Sequence, residues 1–296
     1  MIPKRIFYVW GVNDPKKRDV SVCIQTWRQT MPDYEIIELN EGNKTYFDYE
    51  KELKENKWFR TVYENKMWAY VADYIRIKVL YEHGGIYFDT DVSSVHPLDK
   101  FLKNKCFVGM QSQEYVEPAI LGAEKHNTFL KKILDFYNDG IWKLPIFTMP
   151  QIFQHFLLQE HNISEFPDKP EQKIIKTDNI TIYPERYFIP FRYKSEFTPE
   201  CVTKDTYTIH WFGGSWVKPE IIEWLMNKHI NPDTKILKTE KPTYKRFSLF
   251  GKTTIVKIAK YKTKSITYFL HRPVFTVDEQ KGIYLLKYLR LFKVKK

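Results

Sequence analysis

An α/β fold built on a parallel-type sheet is the class that this sequence predicts, on three observations. A short apolar run after a proline, Ile6–Trp10, has the length and character of a buried first strand. A helical stretch over 17–30 and a second short strand, Glu35–Leu39, follow it and complete a β-α-β unit. A helical pattern over 67–83 then stops at Gly84-Gly85 and gives way to an apolar strand that ends in two carboxylates.

The first helix is bounded by Pro32. Residues 44–66 are polar, charged and aromatic, and are expected to form one or two surface helices. In 67–83, Met67, Val71, Tyr74, Ile75 and Val79 recur at helical spacing, and the paired glycines stop the helix. Residues 105–110 read as a strand and 127–138 as a helix. Residues 140–205 are rich in Pro, Tyr and Phe and are expected to be irregular with short helices. Thr206–Trp211 is a strand candidate. Val217–Asn227 is a helix with Pro219 in its first turn. Pro232 and Pro242 punctuate a boundary, giving a catalytic region over 1–240 and an extension over 241–296.

Composition narrows the function classes. The 296 residues include 43% hydrophobic and 17% aromatic side chains, enough for a real core. Cys23, Cys106 and Cys201 are far apart and form no CxxC pair, which argues against a disulfide framework or a zinc site. No stretch approaches the ~18–20 apolar residues of a membrane span, and the run behind Lys4 and Arg5 is too short for a signal peptide. A cytoplasmic location is the expectation. The net charge is +11, but residues 241–296 alone carry 15 Lys/Arg against Asp278 and Glu279. That +13 leaves −2 for residues 1–240, so a nucleic-acid-binding core is not implied.

Three constellations carry chemistry. In His83-Gly84-Gly85-Ile86-Tyr87-Phe88-Asp89-Thr90-Asp91, alternation along a strand points both acids to one side, where a divalent cation is their natural partner. A cation held there can cradle a diphosphate leaving group. A bare DxD is common on surface loops, and its place after a helix–GlyGly break is what sharpens it. Asp73 and Arg76 share a face of the preceding helix at i and i+3, a spacing that also describes an ordinary solvated ion pair. His210-Trp211-Phe212-Gly213-Gly214-Ser215-Trp216 ends a strand in an imidazole and offers a hydroxyl and an indole N–H to a phosphate. It is equally readable as a glycine turn between a strand and a helix.

These blocks resemble the glycosyltransferase family 32 enzymes, the sugar-binding region containing DxD, and more distantly the glucosylating clostridial toxins. Ile2–Trp10, Ala72–Arg76 with Glu82–Asp91, and His210–Trp216 carry the resemblance, together with Thr26-Trp27 and Pro32-Asp33-Tyr34, over roughly residues 1–225. The resemblance implies a GT-A fold, a Rossmann-like mixed central sheet flanked by helices. It also implies a nucleotide-diphosphate-sugar donor, usually UDP, a divalent Mn²⁺ or Mg²⁺, and retention at the anomeric carbon. By the same resemblance Val9 and Trp10 lie against the base, Asp73 and Arg76 hold donor-sugar hydroxyls, and Tyr87 lines the donor pocket. Asp89 contacts ribose and, through water, the metal. Asp91 binds the metal, His210 sits in or beside its shell, and Ser215 and Trp216 bind the β-phosphate. Asp89, Asp91 and Arg76 are thus the catalytic candidates. The chain departs from the pattern at Gly11-Val12-Asn13 and at Thr148-Met149-Pro150, the latter in a region that shapes sugar and acceptor choice.

The extension is expected to be helical. At ~100° per residue Ile255, Ile258, Ala259, Ile266, Phe269 and Leu270 fall on one face, with Lys257, Lys260 and Lys264 opposite and Lys262 breaking the pattern. Residues 283–293 repeat the theme, with Tyr284, Leu285, Tyr288, Leu289, Leu291 and Phe292 against Lys287, Arg290 and Lys293. Such helices suit an anionic membrane surface, although helices packed on the catalytic region with solvated lysines would read the same way. The expected function is therefore transfer of a hexose to a saccharide acceptor. The donor is expected to be UDP-Gal, UDP-Glc or an N-acetyl form. A lipid-linked oligosaccharide of bacterial capsule or exopolysaccharide synthesis is the expected acceptor. Two rivals are a non-catalytic nucleotide-sugar or nucleic-acid binding module, which the low charge of residues 1–240 disfavours, and a metal-dependent nucleotidyltransferase. The second would want a phosphate loop, and no G-x-x-x-x-G-K-[ST] occurs.

Overall fold

The structure is a computed structural model. It describes residues 1–11, 16–169, 171–213 and 219–230 and, beyond these, the backbone of six strands between 243 and 294. The chain divides into two units, Met1–Ile236 and Leu237–Lys296.

In the first unit the elements run as follows. Strand β1 (Arg5–Val9), helix α1 (Arg18–Thr30) and β2 (Glu35–Leu39) form the opening unit. Helices α2 (Tyr49–Glu55), α3 (Lys57–Glu64) and α4 (Trp68–His83) come next, then β3 (Gly85–Phe88) and β4 (Val92–Ser94). Strands β5 (Cys106–Met110) and β6 (Val116–Ala123) precede α5 (Thr128–Asn138), α6 (Gly140–Lys143) and α7 (Met149–His161). The unit closes with β7 (Ile175–Lys176), β8 (Thr181–Tyr183), α8 (Glu185–Phe188), β9 (Thr208–His210) and α9 (Pro219–Asn227). Seven strands make one mixed sheet in the order β2-β1-β3-β6-β5-β8-β7, and β4 pairs with β9 in a separate two-stranded ribbon. Strands β1, β2 and β3 are parallel, while β6 runs antiparallel to both β3 and β5. The expected mixed sheet flanked by helices is thus met.

Alternation sorts the strand side chains onto two cores. Phe7, Ile37 and Tyr87 pack with residues of α2 to α5 and α7, whereas Ile6, Tyr8, Ile86 and Phe88 pack with Val20, Ile24 and Trp27 of α1. Helix α4 is buried on every side, from Tyr70 and Val71 through Tyr74, Ile75 and Ile77 to Val79 and Leu80. Apolar residues around most of its circumference place this helix inside the domain, and this is how Arg76 comes to be buried with it. The stop after α4 requires glycine. Gly84 and Gly85 have φ of +68° and +135°, and a Cβ would lie 2.8 Å from the Lys125 amide nitrogen and 2.7 Å from the Arg5 side chain.

Three regions differ from expectation. Helix α7 spans 13 residues within the stretch expected to be irregular. Its start is a capping box, with the Thr148 hydroxyl accepting from Gln151 N–H and the Gln151 side chain returning to the Thr148 N–H, and Pro150 sits in the first turn. Strand β6 is not anticipated, because Pro118 lies inside it. The sheet accommodates that proline through an irregularity: β5 pairs Val108 with Leu121 and then Gly109 with Glu117, so residues 118–120 leave this ladder.

The helical expectation is corrected over 253–260, 264–269 and 283–285, whereas 286–292, with Lys287, Tyr288, Leu289, Arg290, Leu291 and Phe292, lie outside the described residues. Within the second unit β10 (Thr243–Leu249), β11 (Thr253–Lys260), β12 (Lys264–Phe269), β13 (Arg272–Asp278), β14 (Gly282–Leu285) and β15 (Lys293–Val294) form an antiparallel six-stranded sheet in sequence order. The physical reason is composition. Thr253, Thr254, Ile255, Val256 and Ile258, then Ile266, Thr267, Tyr268 and Phe269, are β-branched or aromatic, and sequence-adjacent strands offer partners by short turns.

Helix α1 fixes the ribbon that carries the second core's edge. Trp27, fully buried, donates from Nε1 to the Val92 carbonyl at 2.7 Å, and the Thr26 hydroxyl accepts from Ser94 N–H at 2.9 Å. The Trp27 ring meets Tyr8 and Phe88 edge-on, with centroids 5.6 and 5.2 Å away. A Trp27→Phe variant keeps most of the apolar contact but orphans the Val92 carbonyl. It should lose about 1–3 kcal/mol in urea denaturation, and an unchanged midpoint would show that this tie does not hold β4.

Candidate active site at the end of strand β3

The site forms where β3 ends. Both β1 and β3 point their C-terminal ends to the same sheet edge, the edge at which open α/β sheets bind ligands. The chain turns at Asp89–Asp91 and enters β4. Asp89 N–H donates to the Ala119 carbonyl at 2.9 Å, and the Asp89 carbonyl accepts from Val92 N–H at 3.1 Å. The two acids therefore converge through a turn and through the neighbouring β9, rather than through the strand alternation expected from sequence.

Asp91 is held from the β9 side. Its carbonyl accepts from Trp211 N–H at 2.9 Å, and Val92 stands opposite His210 in the ribbon. Its carboxylate accepts from Gly213 N–H at 2.7 Å and lies 3.3 Å from His210 Nε2. A Cβ on Gly213 would sit 3.2 Å from that same carboxylate oxygen, so a bare backbone suits this approach. The His210 ring is buried against Phe212, centroids 4.3 Å apart, and its Nδ1 has no hydrogen-bond partner among the described residues.

Asp89 is held from the α4 side. Arg76 Nη2 donates to Asp89 Oδ1 at 2.8 Å and lies 3.1 Å from Asp73 Oδ1. Arg76 Nη1 donates to the Pro118 carbonyl at 2.5 Å, and the guanidinium covers the Tyr87 ring at 4.5 Å. The i, i+3 pair of α4 is accordingly a buried, shared pair and not a solvated one.

The electrostatics divide the acids. Burial pushes Asp73 and Asp89 up to about 6, against the pull of Arg76. Burial also acts to raise Asp91, but its hydrogen bonds from His210 and Gly213 N–H outweigh it and hold the carboxyl below the usual range. Burial acts to lower His210, yet Asp91 and the nearby Glu117 and Asp89 leave its imidazole raised overall. Asp89, Asp91 and His210 each offer a ligand atom within 4.8 Å of the others. Two carboxylates and an imidazole whose Nε2 faces Asp91 are a donor set that fits a hard divalent cation.

The structure brings Asp73, Arg76, Asp89, Asp91 and His210, all singled out from sequence, close together. Tyr87 lies buried behind Arg76. Val9 and Trp10 sit at the C-terminal end of β1, with Trp10 N–H donating to the Leu39 carbonyl at 3.2 Å. Ser215 and Trp216 lie outside the described residues. Sequence reading misses Glu117, whose carboxyl is raised by burial and feels His210, Asp89 and Arg76. The available signal was an acid inside the apolar run Val116–Ala123.

Residues 17–108 match the family model described as "Glycosyltransferase sugar-binding region containing DXD motif". That span holds Asp73, Arg76, Tyr87, Asp89 and Asp91, the block on which the sequence resemblance rests, and ends before Glu117 and His210. The chain is similar to inositol phosphoceramide mannosyltransferase 3 of Schizosaccharomyces pombe, 29% identical over 140 residues, which is 45% of this chain and 36% of that protein. It is also similar to alpha-1,4-N-acetylglucosaminyltransferase of Homo sapiens, 26% identical over 133 residues, 43% of this chain and 36% of that protein. The chain thus spans 36% of the length of each of these curated relatives. Among solved structures, the PaToxG glycosyltransferase is similar at a TM-score of 0.41 and 22% identity, covering 54% of this chain and 70% of that one. A glycosyltransferase involved in glycosylation of the major capsid of PBCV-1 is similar at 0.38 and 14%, covering 75% and 98%. Likenesses this loose carry no argument.

A stability measurement tests the burial of Asp89. In metal-free protein a carboxyl raised to about 6 favours folding most below pH ~4, and that contribution is lost as the pH rises through about 6. Asp89→Asn lacks the loss. In EDTA, its stability relative to wild type should therefore climb between pH 4 and 7, by up to about 3 kcal/mol. A difference that stays flat across this range would contradict the raised carboxyl.

Proposed function

We propose that this chain is a metal-dependent glycosyltransferase that moves a hexose from a nucleotide-diphosphate donor to a saccharide acceptor. The observation that carries the reading is the gathering of Asp89, Asp91 and His210 at the ligand-binding edge of the sheet, inside or beside the region that matches the DXD family model. Asp91, Asp89 and His210 would hold Mn²⁺ or Mg²⁺. When bound, the cation supplies neutralisation of the charge that grows on the departing diphosphate.

The chain's own groups do the rest. Arg76 orients Asp89 and adds fixed positive charge beside the leaving group. Asp73 and Arg76 face the donor sugar. Val9 and Trp10 contact the base, and Ser215 and Trp216 donate to the β-phosphate. Asp89 lies hydrogen-bonded to Arg76, which makes it a poor nucleophile. We therefore favour retention by same-face attack, in which the acceptor oxygen bonds to the anomeric carbon and its proton passes to the leaving phosphate. The donor is read as UDP-Gal, UDP-Glc or an N-acetyl form, and the acceptor as a lipid-linked oligosaccharide of capsule or exopolysaccharide assembly on the inner face of the cell membrane.

A donor screen tests the class. Purified protein with Mn²⁺ and a panel of UDP-, GDP- and CMP-sugars should release nucleotide from one or two UDP-sugars, and EDTA should stop it. Asp91→Asn should cut this release by at least ~10²-fold, the scale of removing a direct metal ligand or its equivalent. Wild-type release by Asp91→Asn, or release indifferent to EDTA, would sink the assignment. The surface reading now rests on charge alone, +13 over 241–296. The 296-residue chain should co-sediment with vesicles containing anionic lipid at low salt, and a chain ending at residue 240 should not. Equal sedimentation of the two would end that reading.

A further inference from the structure

We propose that Tyr193 and Trp211 form an aromatic platform on which pyranose rings of the saccharide acceptor stack. The inference rests on the glycosyl-transfer reading of the Asp89–Asp91–His210 cluster, and it names where the second substrate of that reaction sits.

Among the described residues, five aromatic side chains gather immediately beyond His210. Phe212 is tilted against the His210 ring with centroids 4.3 Å apart, and His210 Nε2 lies 3.3 Å from Asp91. The Tyr193 ring lies 5.7 Å from Phe212, and Phe191 meets both Phe212 at 5.6 Å and Trp211 at 6.0 Å. Phe197 meets Trp211 edge-on at 5.0 Å. The cluster is thus continuous with the candidate cation site through a single ring, that of Phe212.

Its members divide by exposure. Phe191 is buried, and Phe197 and Phe212 are half-buried, as a small core requires. Tyr193 is 51% exposed and Trp211 42%. Exposed aromatics scattered singly need no explanation, but these two share one cluster beside a site. Both are also held in place. Trp211 N–H donates to the Asp91 carbonyl at 2.9 Å, and its indole Nε1 donates to the Ser93 hydroxyl at 3.0 Å, so the ring is pinned to the strand that follows the two acids. Tyr193 occupies a turn in which Ser195 N–H donates to the Arg192 carbonyl at 2.9 Å and Lys194 has a φ of +67°. Phe212 has a φ of +53°, a costly conformation for a bulky side chain. That strained residue is the one that joins the cluster to His210.

The ligand's chemistry follows from the rings. An aromatic face offers apolar area and partial negative charge. A pyranose presents C–H groups of slight positive charge on its faces and keeps its hydroxyls at the rim. It can therefore cover Tyr193 or Trp211 without stranding its polar groups. Lys194 Nζ stands 5.4 Å from the Tyr193 ring, an exposed contact of small worth that a sugar displaces. A nucleotide base would also stack on such rings, but the proposed function seats the base against Val9 and Trp10 at the end of β1. The two seats are separable by experiment.

The test uses the 296-residue chain with Mn²⁺ and UDP, which occupies the donor site without turnover, and lactose, cellobiose and maltose as probes. Saturation-transfer NMR reads the Kd of each disaccharide and which of its protons touch the protein. Wild type should bind at least one, with saturation concentrated on ring C–H protons. Tyr193→Ala and Trp211→Ala should each weaken that binding about 10-fold, the scale of one aromatic contact. Tyr193→Phe, which keeps the ring and loses the hydroxyl, should stay within about twofold of wild type. The Kd of UDP with Mn²⁺, read by calorimetry, should hold within about twofold in both Tyr193 variants, which separates a lost platform from a collapsed site. Unchanged disaccharide binding in Tyr193→Ala overturns the proposal, and so does a loss of UDP binding in step with it. Wild type that binds UDP but none of the three disaccharides sinks the platform and leaves the transfer reading standing. Wild type that binds a disaccharide through Tyr193 but no UDP sinks the transfer reading and leaves a saccharide site.

Discussion

The buried guanidinium of Arg76 is the contact on which the site's geometry depends. It ties three elements that are far apart in sequence: its own helix α4, the turn after β3 through Asp89, and β6 through the Pro118 carbonyl. Burying a charge is tolerable only when its hydrogen bonds are largely made inside the protein. Here Nη2 serves both Asp73 and Asp89, Nη1 serves a carbonyl and the flat face lies over Tyr87, while Nε has no hydrogen-bond partner among the described residues. A lysine could supply the charge but not the planar fork or the stacking face. Removing Arg76 would leave two carboxylates already raised by burial with no counter-charge between them.

The two acids of the motif are consequently different groups. Asp89 belongs to the helix side, shares a proton donor with Asp73, and ionises reluctantly. Asp91 belongs to the β9 side, where a backbone N–H and the imidazole keep it ionised. Acids this close titrate as a coupled set, so the meaningful contrast is the direction in which each is pushed. One is a ready anion and the other is delivered by an arginine. The irregularity in β6 makes this possible. Because residues 118–120 leave the ladder to β5, the Pro118 carbonyl is available to Arg76, while the Ala119 carbonyl takes the Asp89 amide as a continuation of the β3–β6 pairing.

How much of this was legible in the sequence follows from how local each feature is. The α4–GlyGly–β3 passage was legible because it is written in neighbouring residues: a helical repeat, a stop that only glycine satisfies, then an apolar strand. His210 was legible through its glycine-rich surroundings, although nothing in spacing said that β9 would pair with β4 and set it against Asp91. Strand β6 was not legible, because Pro118 argues against a strand and the irregularity that excuses it arises only when β5 is alongside. Glu117 was hidden with it. In the extension, the same residues satisfy a helical and an extended pattern, and β-branched side chains settled the matter toward strands.

Charge supplies the last step. Four carboxylates, Asp73, Asp89, Asp91 and Glu117, stand against Arg76 and the titratable His210. Left so, the cluster would turn away any diphosphate. A divalent cation at Asp89, Asp91 and His210 reverses that locally, and only there. The acids beyond its reach keep their negative character. On the proposed reading, the phosphates of a nucleotide-sugar donor would meet the cation, while Asp73 stays an acceptor-only group beside Arg76. In this view the surplus acid is no defect of a metal site. On the proposed reading it would help to orient a donor with a charged and a neutral end.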